Sequence, residues 1–275
     1  MISKPVVRAA VRTMDVFETF KEQKRPLSLS EIADEINTPI STCHEIVRTL
    51  RDRGYLYLVN GRSFYPTGRI VACARAIAAN DPIVHRLAPA LEQLRDATGE
   101  TVILGKLQGD HVVYLAIEEG RQTIRYGATI GDSKPLHSSS IGKATLAQLD
   151  EKARAALLSK LELPRVTPNS ITARDVLEAD LEVGRRRGFF VTRGENVVDV
   201  MGMAISIDTG TGPVGIAVAG PLNRMEDNFK RNSLLLLDLS RELASRDDAA
   251  LYRISSPVKS ASNSKPWSRK QVELK

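Results

Sequence analysis

The sequence predicts an α+β protein in two parts, a winged helix-turn-helix followed by a separate domain of mixed helices and strands. Three observations carry this. Two short helical patterns within residues 27–53 (LSLSEIADEINTPISTCHEIVRTLRDR) are joined by a tight polar connection. Two β-rich runs then flank an Asn-Gly turn. After residue 98 the apolar spacing changes from helical to alternating, and strand patterns begin to mix with helical ones.

Each element has a local reason. Val7, Ala10, Val11, Met14, Val16, Phe17 and Phe20 mark an opening helix that closes a small core. Ser28 and Glu31 stand in S-x-x-E spacing, so Ser28 is expected to cap the next helix while Glu31 bonds back. Ile32, Ala33 and Ile36 form its inner face. Asn37-Thr38-Pro39 ends it, with Thr38 expected to cap a further helix and Pro39 to enter its first turn. There Ile40, Cys43, Val47 and Leu50 make one buried stripe. The opposite side presents Ser41, Thr42, His44, Glu45, Arg48 and Arg51, side chains suited to phosphates and to base edges in a major groove. This helix is therefore expected to read duplex DNA, with Ser28 counted in the same set. A helical hairpin with a solvated outer face is the competing reading, and the flanks argue against it. Residues 55–59 and Phe64-Tyr65 around Asn60-Gly61-Arg62-Ser63 form a hairpin, a wing whose Arg62 and Ser63 would meet the DNA backbone.

Residues 67–80 (TGRIVACARAIAAN) read as a connecting helix with Ile70, Val71, Ala74 and Ile77, ended before Pro82. The expected organisation is a winged helix-turn-helix at 1–66, a linker helix at 67–81, a second domain at 82–254 and a disordered basic tail at 255–275 holding the lone Trp267. In the second domain residues 83–97 form a helix with Leu87, Leu91 and Leu94 on one face, closed by Thr98-Gly99. Residues 101–107 and 111–118 form a hairpin around Gln108-Gly109-Asp110, and 123–130 a third strand interrupted at Gly127-Ala128. Helices follow at 141–149 and 151–160, then a charged helix at 174–187 ending at Gly188. A strand starts at Phe189, apolar strands span 197–207 and 213–219, and a last helix covers 224–246 with Leu234, Leu235, Leu237, Leu239 and Leu243.

Composition excludes several classes. No apolar run in the 275 residues approaches the roughly 18 a membrane span needs, and MISKPVVRAAVR lacks the apolar core of a signal peptide. Cys43 and Cys73 both read as small buried apolar residues in a reducing compartment, so a cytoplasmic protein is expected. The net charge of +6 is uneven: residues 1–80 carry 12 Lys and Arg against 8 Asp and Glu, residues 81–255 carry 22 against 24, and the tail 5 against 1. A basic head on a near-neutral body fits a polyanion binder with a separate sensing domain.

Motifs for chemistry are scarce. Ile141-Gly142-Lys143-Ala144 is not a phosphate loop, which needs glycine where His137 stands and Ser or Thr where Ala144 stands. Ser138, Ser139 and Ser140 crowd a helix start, where free amides hold a carboxylate or one serine merely caps the helix. His44, His85, His111 and His137 have no metal-ligand spacing, and no nucleophile elbow is present. No catalytic residue, metal or cofactor is assigned. Glu195, Asn196 and Asp199 lie between strand runs, either at a pocket mouth or as ordinary loop polarity. An enzyme in which Ser138–Ser140, His137 and Asp199 supply nucleophile and base, the head serving for dimerisation, is the alternative of a different class.

Over residues 6–250 the chain resembles the IclR family of bacterial transcriptional regulators. The resemblance rests on LSLSEIADEI and PISTCHEIVRTLRDRGYL in the head, and on GETVILG, GATIGDSKPLHSSSIGKATLA, RRRGFFVTRGEN and VAGP in the body. Ser139-Ser140 replaces the Thr-Ala pair usual before Gly-Lys-Ala. The resemblance implies a winged helix-turn-helix on a linker helix, a GAF-like effector domain, and homodimers or homotetramers on palindromic operators. It implies a ligand-responsive regulator, most often a repressor, whose effector is a small organic molecule of carboxylate or aromatic-acid type. The implied pocket comprises Gly127 and Ala128, Glu195, Asn196 and Asp199 within residues 193–199, and Val200, Gly202, Ala217 and Ala219 of the last two strands. With Ala217 and Ala219 in place of serines, and Asp199, Val200, Met201 and Met203 in the preceding strand, a larger or more hydrophobic ligand than a two- or three-carbon acid is expected.

Overall fold

A computed structural model describes residues 7–210 and 212–245. The tail, and the end of the second domain beyond residue 245, lie outside the described residues. The chain forms two compact units, one through Asp81 and the other from Pro82.

The first unit contains α1 (Arg8–Gln23), β1 (Leu27–Ser28), α2 (Leu29–Glu35), α3 (Ile40–Asp52), β2 (Leu56–Val59), β3 (Ser63–Pro66) and α4 (Gly68–Ala78). Its core gathers Val16, Phe20, Leu27, Ile32, Cys43, Val47, Leu50 and Leu56. The capping box forms at α2: Ser28 Oγ accepts from the Glu31 amide at 3.3 Å, and Glu31 Oε2 accepts from the Ser28 amide at 2.8 Å. Asn60 and Gly61 take φ of 50° and 71°, the left-handed pair whose twist suits a two-residue hairpin turn. A strand not foreseen, β1, pairs Leu27 with Phe64 and Ser28 with Ser63, tying the entry of α2 to the wing.

Several expectations are corrected here. Val7, Val11 and Met14 are exposed, because α1 turns only Val16, Thr19 and Phe20 fully inward. Thr38 does not cap α3. Left-handed Asn37 (φ 44°) ends α2 abruptly, and Thr38 closes it from behind, its amide donating to Ala33 O at 2.9 Å and its hydroxyl to Ile36 O at 3.1 Å. Pro39 becomes the N-cap with no side-chain bond, and Ile40, on the first turn ahead of the buried seam, is exposed. Cys43 is buried, but Cys73 is exposed on α4, a helix with no buried residue.

The second unit contains α5 (Pro82–Thr98), β4 (Thr101–Gln108), β5 (His111–Glu118), β6 (Ser133–Pro135), α6 (Ser140–Gln148), α7 (Glu151–Leu158), α8 (Arg174–Arg187), β7 (Phe190–Arg193), β8 (Val200–Asp208), β9 (Pro213–Pro221), α9 (Leu222–Asp227) and α10 (Phe229–Ser245). Six strands form one antiparallel sheet in the order β6-β5-β4-β9-β8-β7. Alternation along the strands sends Val102, Leu104, Met201, Met203, Ile216 and Val218 to the face covered by α5 and α10. Ile103, Tyr114, Ala204, Ala217 and Ala219 point to the other face, under α6 and α8. That second face is small. A methyl on Gly105 or Gly215 would lie 3.2 and 2.6 Å from Ile141 Cγ2, and one on Gly142 would lie 2.5 Å from the Leu136 backbone, so α6 docks nearly backbone to backbone.

Residues 123–130 are not a strand. Ile124 and Ile130 are exposed, and the place beside β5 is taken by β6. Thr101 Oγ1 donates to Tyr126 O at 2.7 Å, which holds that loop against β4. At the same end Arg224 grips the buried Glu100 carboxylate, with Nη2 at 2.7 Å from Oε2, and donates to Ile124 O. Strand β8 starts at Val200, residues 197–199 remaining loop, and the last helix is interrupted at Asn228, with Leu236 inward and Leu234 outward.

The capping box gives this fold a pH signature. The Ser28 amide, then its hydroxyl and Arg25, hold the Glu31 carboxyl at about 2, against an ordinary value of 4.5. A pKa depressed in the folded state stabilises fully above 4.5 and is lost as pH falls from there toward 2. Glu31→Gln should therefore lower the urea midpoint at pH 6, with the gap to wild type closing between pH 4.5 and 2 when unfolding is followed by circular dichroism. A gap independent of pH would contradict the assignment.

Candidate functional site

Chemistry is concentrated in two places, one in each unit. On α3 the inward seam of Cys43, Val47 and Leu50 turns the opposite side to solvent. There Ser41, His44, Glu45, Arg48 and Arg51 are exposed and Thr42 is half-buried. Glu45 Oε2 lies 2.5 Å from Arg48 Nη2, and its Oε1 3.5 Å from His44 Nδ1, so one carboxylate lines up two donors along a single turn. Arg48 first, then His44, hold the Glu45 carboxyl below its usual range. Arg62 stands exposed at the wing tip, and Ser63 is half-buried. Ser28, counted with this set from sequence, is committed elsewhere, since its hydroxyl is spent within the capping box.

In the second unit a cavity of about 40 Å³ lies between the small face of the sheet and the first turn of α6. Tyr114, Tyr126, Ser138, Ser140, Thr192 and Asn196 give it a polar lining, and Ile103, Ile141, Val197, Val200, Gly202, Ala217 and Ala219 an apolar one. None of these lining residues is charged. Ser139 caps α6, accepting from the Gly142 amide at 3.1 Å while donating to Pro135 O at 2.8 Å. Ser138 Oγ accepts from Asn196 Nδ2 at 3.2 Å. The hydroxyls of Ser140 and Thr192 bond to no described residue. Gly202 passes close beneath both, for a methyl there would lie 2.6 Å from Ser140 Oγ and 3.1 Å from Thr192 Oγ1. Burial, then the neighbouring Tyr126, pushes the Tyr114 phenol up, so it stays protonated at neutral pH.

Behind the cavity one turn of α6 carries an unexpected cation. The Lys143 side chain has no exposed surface, and its Nζ lies 2.7 Å from Asp180 Oδ2 on α8 and 2.7 Å from Glu195 Oε2. Burial pushes the Glu195 carboxyl up, Lys143 opposing and Asp180 adding to the shift. Next to it Thr167 and Ser170 hydroxyls donate to the carbonyls of Gly194 and Glu195 at 2.6 and 2.7 Å. His137 is fully buried with Nε2 2.9 Å from Pro164 O, and burial lowers its pKa, so it is neutral at pH 7.

Of the residues expected at a pocket, Asn196, Val200, Gly202, Ala217 and Ala219 are brought together in the cavity wall. Gly127 and Ala128 lie outside it and Tyr126 occupies their place, because the chain there is loop. Glu195 faces Lys143 behind the wall, and Asp199 is exposed. Met201 and Met203 belong to the opposite face of the sheet, so they add nothing apolar to this cavity. Hydroxyls absent at Ala217 and Ala219 reappear from Ser138, Ser140 and Thr192. A larger, more hydrophobic ligand is therefore not what the lining indicates. Sequence reasoning missed Thr192, Tyr114, Tyr126 and the Lys143 cluster; Ser138–Ser140 were singled out at the start of the helix.

Comparison with known proteins matches the geometry. Residues 9–59 match the family model described as the IclR helix-turn-helix domain, and residues 75–244 that described as bacterial transcriptional regulator IclR C-terminal. The chain is 32% identical over 242 residues to the HTH-type transcriptional regulator BhcR of Paracoccus denitrificans, covering 86% of each chain. It is 25% identical to the HTH-type transcriptional repressor AllR of Escherichia coli K12, over 88% of this chain and 91% of that one. An IclR homologue from Microbacterium hydrocarbonoxydans, solved in complex with 4-hydroxybenzoate, shares the fold with a TM-score of 0.66 at 22% identity, over 85% of this chain and 99% of that one.

The buried cation makes a direct test of the site's energetics. Lys143→Met leaves two carboxylates facing each other without a counter-charge, which should cost about 3–5 kcal/mol in urea unfolding of the second unit. A loss within about 0.5 kcal/mol, the range of ordinary surface substitutions, would mean that the three groups do not interact as described.

Proposed function

The chain belongs to the IclR family of bacterial transcriptional regulators, DNA-binding proteins of helix-turn-helix type, and from this footing we propose how it reads its operator and what controls that reading. Helix α3 enters the major groove, with Ser41, Thr42, His44, Glu45, Arg48 and Arg51 on base edges and phosphates and Arg62 and Ser63 of the wing on the backbone. The single observation that carries this is the division of α3 into a fully buried seam and an opposite face of exposed donors. Val7 at the N-cap of α1, Val11 and Met14 on α1, and Val71 and Ile77 on α4 leave apolar side chains exposed in the first unit. They support a homodimer on a palindromic site, with a homotetramer as the larger assembly. Cytoplasmic location follows from the role, and no helix among the described residues is long and apolar enough to cross a membrane.

The cavity senses a small organic effector, and its occupancy biases operator binding, with repression in the ligand-free state. Lacking any cationic lining residue, it would meet a ligand carboxylate with the positive end of α6 and the free hydroxyls of Ser140 and Thr192. At about 40 Å³ it holds one to three waters as it stands, so an organic acid enters only when a wall moves. Conversion of that ligand is not favoured. His137, the base an enzyme would need, is outside the cavity wall with Nε2 committed to Pro164 O, and Asp199 is outside it too.

Fluorescence anisotropy with the chain's own upstream DNA at fixed salt tests the first part. Arg48→Ala should weaken binding by about 1–3 kcal/mol, roughly 5- to 150-fold, and equal affinity would remove α3 from the groove. For the second part, small aliphatic and aromatic acids are screened by thermal shift. Gly202→Val, which drives a side chain into Ser140, should abolish the shift caused by any hit while leaving ligand-free DNA binding intact. Persistence of the shift would place the ligand elsewhere.

A further inference from the structure

Residues 194–199, between β7 and β8, supply Asn196 and Val197 to the cavity wall, and Val200 follows at the start of β8. This segment has little sheet structure of its own. Its backbone is closed by Gly194 N to Val200 O at 2.8 Å and Val200 N to Val197 O at 3.1 Å. Gly194, at φ 65°, is pinned, since a side chain there would run into Val198 O, and Asp199 O accepts from the Leu222 amide at 2.8 Å. Between those two fixed ends, the Thr167 and Ser170 hydroxyls donate to Glu195 O at 3.2 and 2.7 Å, Asn196 makes one bond to Ser138 Oγ, and Val197 and Val198 are exposed. The one charged restraint on the segment is Glu195, both of whose oxygens lie within 2.9 Å of Lys143 Nζ.

We propose that Lys143 is a positioning residue, a latch that holds residues 195–199 closed over the cavity through Glu195, and that Asp180 weakens this latch by competing for the same ammonium. The proposal rests on the reading of the cavity as the effector site and names what gates it. Its physical basis is the choice of charge where none is needed for packing. A buried ion pair is poor value as structural cement, because desolvation offsets its attraction and apolar residues of similar volume hold helices together as well. What charge adds is a contact that is strong while dry and weak once wet. Closed and open segments then become two discrete states.

Two carboxylates share one ammonium at 2.7 Å each. Neutralising either therefore acts on the segment with opposite sign. Arg187, which lies within the field of Asp180, is held over the Phe189 ring at 4.9 Å and does not substitute for Lys143. The same helix that lines the cavity with Ser140 and Ile141 thus carries the latch three residues later, so a ligand pressing on the first turn of α6 strains the Lys143–Glu195 contact.

Hydrogen exchange of the full chain, read by mass spectrometry without any ligand, tests this. Glu195→Gln should speed exchange in peptides covering 195–199 by about tenfold, with β8, β9 and α6 unchanged. Asp180→Asn, which leaves Lys143 to Glu195 alone, should slow exchange in the same peptides. A purely structural cluster would loosen in both variants. Acceleration in both, acceleration spread through the whole second unit, or no change at 195–199 would each overturn the latch. Because no ligand is added, the result stands even where the Gly202→Val experiment removes the effector from this cavity.

Discussion

The second unit depends on how closely one helix approaches one face of a sheet. Gly105, Gly202, Ala204, Gly215, Ala217 and Ala219 strip that face of bulk, and Gly142 does the same for α6. Close packing then fixes almost everything else. It buries the whole first half of α6, including a lysine that would otherwise snorkel to water. It also leaves, where the helix begins and side chains give way to backbone, a gap walled by serines and tyrosines. The opposite face, by contrast, is filled by Met201, Met203, Leu104 and Val218, ordinary large side chains packed against α5 and α10.

The two units use polar groups in opposite ways. In the first, polarity is turned outward on α3, where exposed pairs such as Glu45–Arg48 contribute little to stability and serve to arrange donors along a helix. In the second, polarity is drawn inward and must be satisfied in place: Thr167 and Ser170 on loop carbonyls, Asn196 on Ser138, Lys143 on two carboxylates. An outward face is free to meet a polyanion; an inward one is sensitive to anything that changes its packing. The proposed division of labour, DNA on one part and an effector on the other, rests on this contrast.

The first unit was legible because its signals are local. The capping box spans three residues, the seam of α3 two turns, and the Asn60-Gly61 turn two residues, each with its own chemistry. Failures there came at ends: Thr38 had the right residue type for a cap but was used to finish α2, and Ile40 and Val11 fitted a period that the core did not reach. The second unit was legible in most of its strands and helices, and its cavity wall in part, since Asn196, Val200, Gly202, Ala217 and Ala219 do line it, but the rest of the site was not. Lys143 and Glu195 are 52 residues apart, and no spacing rule joins them. Thr192 lies in a short strand of which only the start, at Phe189, was read. Met201 and Met203 were visible but misassigned, because a period of two puts neighbours on opposite faces and the strand's first inward residue was not known.

The central pairing of the sheet has a price in time. Strand β4 lies between β5, which follows it after a tight turn, and β9, whose Ile216 faces Leu104 across more than a hundred residues of chain. During synthesis at about 5–20 residues per second, the β4–β5 hairpin waits roughly 5–20 seconds for its other neighbour to emerge. Throughout that interval Val102, Ile103 and Leu104 form an open, strongly apolar edge, and the Glu100 carboxylate has no Arg224 to meet. Nascent chains of this protein are therefore most prone to stick to one another before β9 arrives, and a chaperone that shields this edge would raise the yield of folded regulator without altering its final stability.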